Sequence, residues 1–409
     1  AKSAAIMQRS LGALLLVAAC GVSDAFSLPP SMVRMSARIN SASAGQFASR
    51  PALALSKTAT PRPLLRVTGA GVELRMGVLS DILVRKTKDV EALKSSLTDG
   101  AKELLEKGIT GKHKHRYLKA VKKPLGTVSV QMQMKYKQPG LVTTRGTDAF
   151  AGIPQCDMLA GHAYEAGASA VAVCTDKEVY GLDVDSIKMV VKSQRCNKGK
   201  YPGPLPVLAY DFFLDPCQLA HVADAGAEAV NLNVAALGEK TKHMLEEAER
   251  MGLDAVVQVH NEAELAIAIA AGASIIGVVN RDMETFLPQN EMDGVSRLWI
   301  EPFEQTVFGR LIPLIPDGIV KVASGAVNET LAAWTLRDKG YTSILVGEAV
   351  IKGSESQMAG SSYQGAYNEG KGLMIAYRSK GSLKYGPSST ASFYGKGEGA
   401  KETLGMMSI

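Results

Sequence analysis

The sequence is short of cysteine, has no apolar run long enough to cross a membrane, and includes a long stretch without acidic residues. Its five cysteines form no C-x-x-C pair and show no metal-ligand spacing, which argues against a disulfide scaffold and a cysteine-ligated metal. We therefore expect buried, reduced thiols in a reducing compartment. They are Cys20, Cys156, Cys174, Cys196 and Cys217.

The N-terminal residues differ in composition from the rest of the chain. Arg9 precedes the apolar segment LGALLLVAAC, which is too short for a membrane span and is followed by small residues up to Phe26, as in a secretory signal. Residues 27–72 contain no Asp or Glu and are rich in Ser and Arg, which is typical of a transit peptide. The arrangement resembles the bipartite leaders of algal plastid proteins. We predict a signal peptide (residues 1–26), a plastid transit peptide (27–74) and delivery to the plastid stroma, with a merely disordered N-terminus as the alternative.

Charge and composition exclude some partners. The chain is 46% hydrophobic and 21% charged, which is typical of a soluble globular protein, and its formal net charge is +6. The Lys and Arg residues are dispersed and accompany no recognition motif, so no nucleic-acid partner is predicted. The basic run at residues 112–123, KHKHRYLKAVKK, predicts a solvated helix face, with an anionic partner as the alternative. No membrane span is predicted in the mature chain.

None of the six histidines is predicted to ligate a metal, because they do not pair at ligand spacing on one predicted face. Surface or core positions are expected for all of them, and His260, which follows a strand end, is expected to be structural. The others are His113, His115, His162, His221 and His243.

A complete β-α-β unit lies between Asp254 and Arg281, in DAVVQVHNEAELAIAIAAGASIIGVVNR. An apolar strand is followed by a capping box of Asn261 and Glu264, then by an Ala/Leu/Ile helix that Gly272 ends. The same succession of helix end, glycine and apolar strand recurs, so these glycines are predicted to be left-handed caps. The recurrences lie at Gly167, Gly226, Gly252 and Gly340.

Eight apolar strands alternate with helical segments from Gly126 onward. This succession predicts an α/β fold, a closed (β/α)8 TIM barrel within residues 75–353, rather than an open sheet. An amphipathic segment at residues 79–105 is predicted as an added N-terminal helix. In such barrels the chemistry takes place at the C-terminal ends of the strands. The strands are GTVSVQMQM, SAVAVC, PVLAY, AVNLNV, AVVQV, IIGVV, IVKVAS and SILVG.

Five motifs follow one another along the predicted barrel: LPVLAYDFFLDPCQL, AVVQVHNEAEL, IIGVVNRDMETF, VKVASGAV and SILVGEAVIKG. In their order and spacing they resemble the indole-3-glycerol-phosphate synthase family, a barrel lyase of tryptophan biosynthesis, and the resemblance covers residues 80–353. The resemblance implies a reaction that cyclises and decarboxylates a carboxyphenylamino-deoxyribulose phosphate, without a cofactor. That reaction needs a general acid, a carboxylate and a phosphate cradle.

Residue by residue, the resemblance implies that most of the family's proton-transferring groups are replaced here. Three positions that carry a carboxylate in the family's motifs hold Gln133, Gln258 and Ala323, and these three are expected to point into one mouth of the barrel with Tyr210 and Val279. Gln has the shape of Glu but cannot take up a proton near neutral pH. Tyr210 stands in place of the acid lysine, and an ordinary tyrosine pKa of about 10 makes it a poor substitute for an ammonium group.

The motif positions that bind phosphate in the family are only partly retained. Gln138 replaces the loop serine that binds phosphate, and Val279 replaces an asparagine, so residual anion binding would depend on backbone NH groups. No metal is expected at the site. The candidate catalytic residues are Lys135, Tyr210 and Arg281, and the candidate phosphate-binding residues are Ser324, Gly325 and Gly347.

Three functions are open on this reasoning. The first is a plastid protein of this family that has lost the reaction and acts as a binding or structural subunit. The second is an active indole-3-glycerol-phosphate synthase that works with Lys135, Tyr210, Arg281 and Ser324. The third is another lyase or isomerase acting on a phosphorylated small molecule.

The C-terminal extension, residues 354–409, interleaves Tyr and Phe with Gly, Ser and Lys. This composition cannot bury much surface alone and is predicted to dock on a protein partner, with a flexible tail as the alternative. The part from Tyr363 to Tyr377 is a candidate for the last helix of the barrel.

Overall fold

The computed structural model describes residues 64–68, 71–75, 77–138, 155–291, 293, 299–325, 327–351 and 363–379. The predicted signal peptide, most of the predicted transit peptide and the chain beyond residue 379 lie outside the described residues. A short antiparallel hairpin pairs Leu64–Thr68 with Gly71–Arg75, within the stretch predicted as transit peptide.

Eight parallel strands close into a barrel in chain order, and the last strand pairs with the first. The register brings Ser343 beside Ser129, and so joins the two ends of the sheet. The predicted (β/α)8 barrel is confirmed. The strands are β1 (Ser129–Met134), β2 (Ala170–Cys174), β3 (Val207–Tyr210), β4 (Ala229–Asn233), β5 (Asp254–Val259), β6 (Ile275–Val279), β7 (Val320–Ser324) and β8 (Ser343–Val346).

Within the described residues, three helices precede the barrel and eight helices of at least five residues surround it. The helices are α1 (Val78–Ser96), α2 (Asp99–Lys107), α3 (Arg116–Val121), α4 (Cys156–Glu165), α5 (Val184–Gln194), α6 (Pro216–Asp224), α7 (Thr241–Arg250), α8 (Glu262–Ala270), α9 (Val307–Leu311), α10 (Thr330–Asp338) and α11 (Tyr363–Arg378). Short helical turns follow β2 at Lys177–Tyr180 and β4 at Val234–Leu237.

The predicted N-cap at Asn261 and the left-handed glycine caps are confirmed, whereas the predicted capping box is incomplete, because the Glu264 side chain accepts from the backbone NH of His260 instead of Asn261. The Asn261 side chain accepts a hydrogen bond from the Glu264 backbone NH at 3.0 Å and begins α8. The glycines that end the helices all have φ between +74° and +106°, where a side chain would be strained. They are Gly167, Gly226, Gly252, Gly272 and Gly340.

Side chains alternate along each strand between the barrel interior and the helix layer, as the two-residue period of a strand requires. On β7, Val320 and Val322 belong to the apolar cluster inside the barrel, whereas Ala323 belongs to the cluster between the strands and the helices. This alternation decides which strand residues can reach the site.

The predicted N-terminal helix is two helices rather than one. The chain leaves α1 at Leu97, and the Thr98 side chain caps α2 by accepting from the Ala101 NH. Both helices pack against α6. The prediction of one continuous helix was wrong because the amphipathic period continues through the break. Thr98 was the available signal, since threonine is a preferred residue at the start of a helix.

The basic run is not simply a solvated helix face. It contains α3, whose Tyr117 and Val121 are fully buried and pack with the apolar cluster inside the barrel, closing its N-terminal end. The Tyr117 hydroxyl donates to Gln131 on β1, and Gln131 donates in turn to Ser343 on β8. The lysines of this run lie outside the barrel. The prediction therefore rested on their charge and missed the buried pair, Tyr117 and Val121.

The last helix of the barrel comes from the predicted C-terminal extension. Helix α11 packs against α4, α10 and β1, and the Trp334 indole NH of α10 donates to the Ala376 carbonyl at 3.1 Å. Tyr377 is fully buried, and its hydroxyl donates to the Val327 and Asn328 carbonyls. The barrel therefore extends to Arg378, and the boundary predicted at residue 353 is too early.

Of the cysteines in the described residues, Cys156, Cys174 and Cys217 are buried and free, as predicted, whereas Cys196 is exposed. Cys20 lies outside the described residues. Within the described part of the chain, no helix combines the length and apolarity that a membrane crossing needs.

Candidate active site

A cavity opens at the C-terminal ends of the barrel strands, where the sequence placed the site. Its free volume is about 50 Å³. The structure brings together in its lining all six candidate residues: Lys135, Tyr210, Arg281, Ser324, Gly325 and Gly347. Residues far apart in the sequence meet here because parallel strands present their C-terminal ends at one face of the barrel.

The substituted carboxylate positions divide into two groups. Gln133 and Gln258 line the cavity, as does Val279, whereas Ala323 does not. The expectation that Ala323 points into the mouth is wrong, because the alternation on β7 turns it toward the helix layer and turns Ser324 inward. Ala323 is fully buried there.

An amide and phenol network crosses the cavity floor. Asn231 on β4 donates to the Gln258 side-chain oxygen at 3.0 Å, and the Gln258 amide donates to the Tyr210 hydroxyl at 3.1 Å. Burial raises the pKa of Tyr210 to about 12, although its hydrogen bonds with Gln258 and Gln133 oppose this rise. The hydroxyl is therefore protonated throughout the physiological pH range, and it transfers its proton with difficulty.

Lys135 is buried at the end of β1, and its Nζ donates to the Gln133 side-chain oxygen at 3.0 Å. A carboxylate at position 133 would form an ion pair with this ammonium group, whereas an amide provides a neutral acceptor. At this contact the lysine thus donates to an amide, where the family's motif provides a carboxylate on the same strand.

A carboxylate occupies the side of the cavity that was predicted to bind phosphate. Glu348 follows Gly347 directly, and its Oε2 accepts from Arg281 Nη2 at 2.6 Å and from Gln138 at 2.9 Å. Both members of the Arg281–Glu348 pair are largely buried, with side-chain exposures of 13% and 12%. Glu348 therefore neutralises Arg281 where an incoming anion would need its charge.

Two glycines shape the same side of the cavity. Gly325 has a φ of +83°, which favours glycine, and it lies against the backbone of Asn280. A Cβ at Gly347 would lie 2.8 Å from the Gln133 carbonyl oxygen, so the strand ends can approach only without a side chain. Both glycines of the predicted cradle thus lie where a side chain would be strained or crowded.

Two features near the cavity were missed or given too little weight. His260 lines it, with Nδ1 2.7 Å from Glu264, while its Nε2 is buried without a hydrogen-bond partner in the described residues. Its position directly after β5, at a strand's C-terminal end, was a signal available in the sequence.

The second missed feature is an ion cluster beside Tyr210. Lys86 on α1 is buried and lies 2.7 Å from Asp211 and 3.2 Å from Asp176. Burial alone would lower the pKa of Lys86, but the two carboxylates outweigh it, and the net shift is upward. Helix α1 is thereby fixed to the ends of β2 and β3. Its sequence gave no sign of this contact, because a lone lysine on an amphipathic helix is usually exposed.

Comparisons with known proteins agree with the barrel and its motifs. The family model for indole-3-glycerol phosphate synthase matches residues 79–361. Indole-3-glycerol phosphate synthase from Kineococcus radiotolerans is 30% identical over 286 residues, which cover 69% of this chain and 93% of that protein.

Two further synthases give similar values. The protein from Parafrankia sp. is 32% identical over 232 residues, which cover 56% of this chain and 74% of that protein. The protein from Opitutus terrae is 28% identical over 278 residues, which cover 67% of this chain and 93% of that protein. The chain belongs to the indole-3-glycerol phosphate synthase family.

Proposed function

We propose that this chain has lost the family's ring-closing decarboxylation and acts as a binding or structural subunit. The observation that carries the proposal is the network of Asn231, Gln258 and Tyr210, with Gln133 beside it. Gln133, Tyr210 and Gln258 stand at positions where the family's motifs have proton-transferring groups. An amide holds its protons at any physiological pH, and a phenol with a pKa of about 12 gives up its proton with difficulty.

The expected loss of rate is large. A positioned acid or base typically contributes about a hundred to ten-thousand-fold to the rate, and several are replaced together. Such effects are not additive within one site, so their product is an upper bound. Even one full loss corresponds to roughly 3–5 kcal/mol of barrier, which would leave turnover far below biosynthetic need.

The small volume of the cavity also supports loss of the family's reaction. A free volume of about 50 Å³ is small beside the roughly 300–1,000 Å³ of pockets that enclose a drug-sized ligand. The carboxyphenylamino-deoxyribulose phosphate would require the lining to open considerably. A phosphate-sized anion would need less space, although it must compete with Glu348 for Arg281.

An active synthase is the second candidate, and one arrangement favours it. Lys135 and Arg281 are both retained in the lining, and the same cavity is lined by His260, whose buried Nε2 has no hydrogen-bond partner among the described residues. The Nδ1 of His260 contacts Glu264 at 2.7 Å, which would orient the ring for proton transfer. A rebuilt site would therefore use the imidazole in place of the lost carboxylates.

A turnover assay separates the two candidates. The full chain is incubated with carboxyphenylamino-deoxyribulose phosphate, and indole-3-glycerol phosphate is followed by its fluorescence. We expect no product above background from the wild-type chain. Turnover that Lys135→Ala or His260→Gln abolishes, while the exposed-site control Lys88→Ala retains it, would instead establish a rebuilt active site.

Complementation provides an independent check. We expect the chain not to rescue a tryptophan auxotroph that lacks the synthase. The triple variant Gln133→Glu, Tyr210→Lys and Gln258→Glu restores the family's groups on this backbone. Rescue by the triple variant alone would identify the lost groups, whereas rescue by the wild-type chain would contradict the proposal.

We also propose that the chain works in the plastid and contacts a protein partner through the residues beyond Arg378, where Tyr385, Phe393 and Tyr394 are interleaved with Gly, Ser and Lys. The composition of residues 27–72 and the alternation of Tyr with Gly and Ser support these proposals. Crosslinking mass spectrometry on plastid extract would test the contact. The full chain should give crosslinks to one partner that a chain ending at Ser379 does not form.

A further inference from the structure

Two histidines and an aspartate converge at the end of the barrel opposite the candidate active site. His113 and His115 lie in the segment before α3, and their rings are 3.9 Å apart between centroids. Asp254 is the first residue of β5, and its Oδ1 lies 2.8 Å from His115 Nδ1 and 3.8 Å from His113 Nε2. One nitrogen from each ring and one carboxylate oxygen all lie within 4.8 Å of one another.

We propose that His113, His115 and Asp254 bind a divalent transition-metal ion of the zinc class. Zinc binds imidazole nitrogen and carboxylate oxygen at about 2.0–2.2 Å, so tetrahedral ligand atoms lie roughly 3.3 Å apart. The observed separations of 2.8 and 3.8 Å lie on either side of this value. Small rotations of the two rings would therefore bring the three ligand atoms to bonding distance.

The surroundings of the three ligands fit a metal site. Glu249 on α7 contacts the other nitrogen of each ring, with Oε2 3.1 Å from His113 Nδ1 and Oε1 3.6 Å from His115 Nε2. A carboxylate that holds the second imidazole nitrogen is the usual support of a metal-ligating histidine. The second oxygen of Asp254 accepts from the Leu118 backbone NH at 2.9 Å, which aims Oδ1 at the rings.

Burial and charge agree with this assignment. The side chains of Asp254 and His113 are 4% and 9% exposed, whereas that of His115 is 35% exposed and leaves a path from solvent. The two carboxylates match the charge of a divalent ion. Water would complete the coordination on the side of His115. The bound ion would join the segment that leads into α3 to both β5 and α7.

The same side chains without an ion would form two histidine–carboxylate pairs, and zinc titration separates these cases. The full chain, free of any polyhistidine tag and treated with a chelator, is titrated with Zn²⁺ against a chromophoric competitor. We expect one ion per chain and a rise in melting temperature on zinc addition. Replacement by Co²⁺ should give the visible absorption of a tetrahedral N/O site.

The variants test the ligands individually. His113→Ala should lose the zinc affinity and the rise in melting temperature, and Glu249→Gln should weaken binding by roughly tenfold, as loss of a supporting carboxylate usually does. His115→Asn removes the second imidazole but tolerates the left-handed backbone, with φ +48°, that His115 adopts. It should fold, as circular dichroism would verify, and should also lose the ion.

The matched control is His243→Ala, which removes an exposed histidine from α7, the helix that carries Glu249. This variant should bind zinc like the wild-type chain. Absence of stoichiometric zinc binding in the wild-type chain would overturn the proposal. Equal affinities in the wild-type chain, His113→Ala and His115→Asn would also overturn it, since the ion would then lie elsewhere.

Discussion

Arg281 donates to Glu348 across the phosphate side of the cavity at 2.6 Å, so the cation there already has an anionic partner from its own chain. The pair joins the end of β6 to the residue after Gly347. An incoming phosphate would meet the retained backbone cradle and a neutralised arginine. Weak anion binding by the wild-type chain follows from this contact.

The first prediction is that Glu348→Gln tightens the binding of inorganic phosphate. Two unit charges about 4 Å apart interact by roughly 4 kcal/mol near a protein surface, and we expect part of this as an affinity gain of about tenfold. Isothermal titration with phosphate at low ionic strength measures it. The control is Glu106→Gln, on the exposed face of α2. Unchanged affinity in Glu348→Gln would mean that anions do not bind beside Arg281.

The second prediction is that Lys86→Met destabilises the barrel by about 3–5 kcal/mol, because it leaves the buried Asp211 carboxylate without its ion-pair partner. Urea unfolding measures the change, and Lys88→Met on the exposed face of α1 should stay within about 0.5 kcal/mol of the wild type. A small change in Lys86→Met would show that the buried cluster contributes little.

The contribution of the Lys86 ion cluster to stability depends on pH through the pKa shifts of its members. Burial would raise the pKa of Asp176, but Lys86 and Arg85 outweigh it and hold the pKa below 3.8. The contribution of Asp176 is therefore full above that value and is lost as pH falls through its folded-state pKa. The pKa of Lys86 is raised above 10.5, so its contribution is lost only as pH rises beyond that value. Burial raises the pKa of Asp211, although Lys86 opposes this rise. The stability gap between wild type and Lys86→Met should therefore shrink as pH falls and Asp211 takes up a proton in the variant, and again as pH rises through the folded-state pKa of Lys86.

The third prediction concerns the glycine between β8 and Glu348. Gly347→Ala should destabilise the chain by about 1–3 kcal/mol, because the new Cβ meets the Gln133 carbonyl oxygen and the strand ends must separate. Gly161→Ala on α4 is the matched control, since its Cβ has open space and its helix gains up to about 1 kcal/mol. Thermal unfolding of both variants gives the comparison. Equal melting temperatures would contradict the close approach.

The fourth prediction concerns the leader. Protein purified from plastids should begin between Phe26 and Arg75, because the acid-free stretch has transit-peptide composition. N-terminal sequencing locates the start. Mass-spectrometric detection of peptides from Ser31 to Lys57 in the mature protein would contradict it.

The sequence predicted the barrel well because each strand and helix carries its own local signals. The cap at Asn261 and the glycine at Gly272 mark one unit completely, and the other units repeat it. The site was predicted through motif positions at strand ends. Ala323 was placed wrongly because a shift of one residue moves a strand side chain to the opposite face. Counting from the apolar pair Val320 and Val322 would have assigned the inward position to Ser324.

Contacts between distant segments could not be predicted in this way. His115 and Asp254 are separated by 139 positions, and no period or cap in either segment refers to the other. The same holds for Lys86 and Asp211, which are 125 positions apart. Such pairs depend on how the loops and added helices settle on the finished barrel, which local pattern does not encode.

The barrel can close only when the C-terminal part of the chain is available, because its last strand, β8, pairs with its first strand, β1. Ser343 pairs with Ser129 across 214 positions, and α11 then covers β1 and α4. A chain delivered N-terminus first cannot complete its sheet until both segments have emerged, and until then β1 presents an unpaired edge. Nascent chains should therefore depend on chaperones until late in their synthesis. Truncation before Tyr363 should lower the yield of folded protein far more than truncation after Ser379.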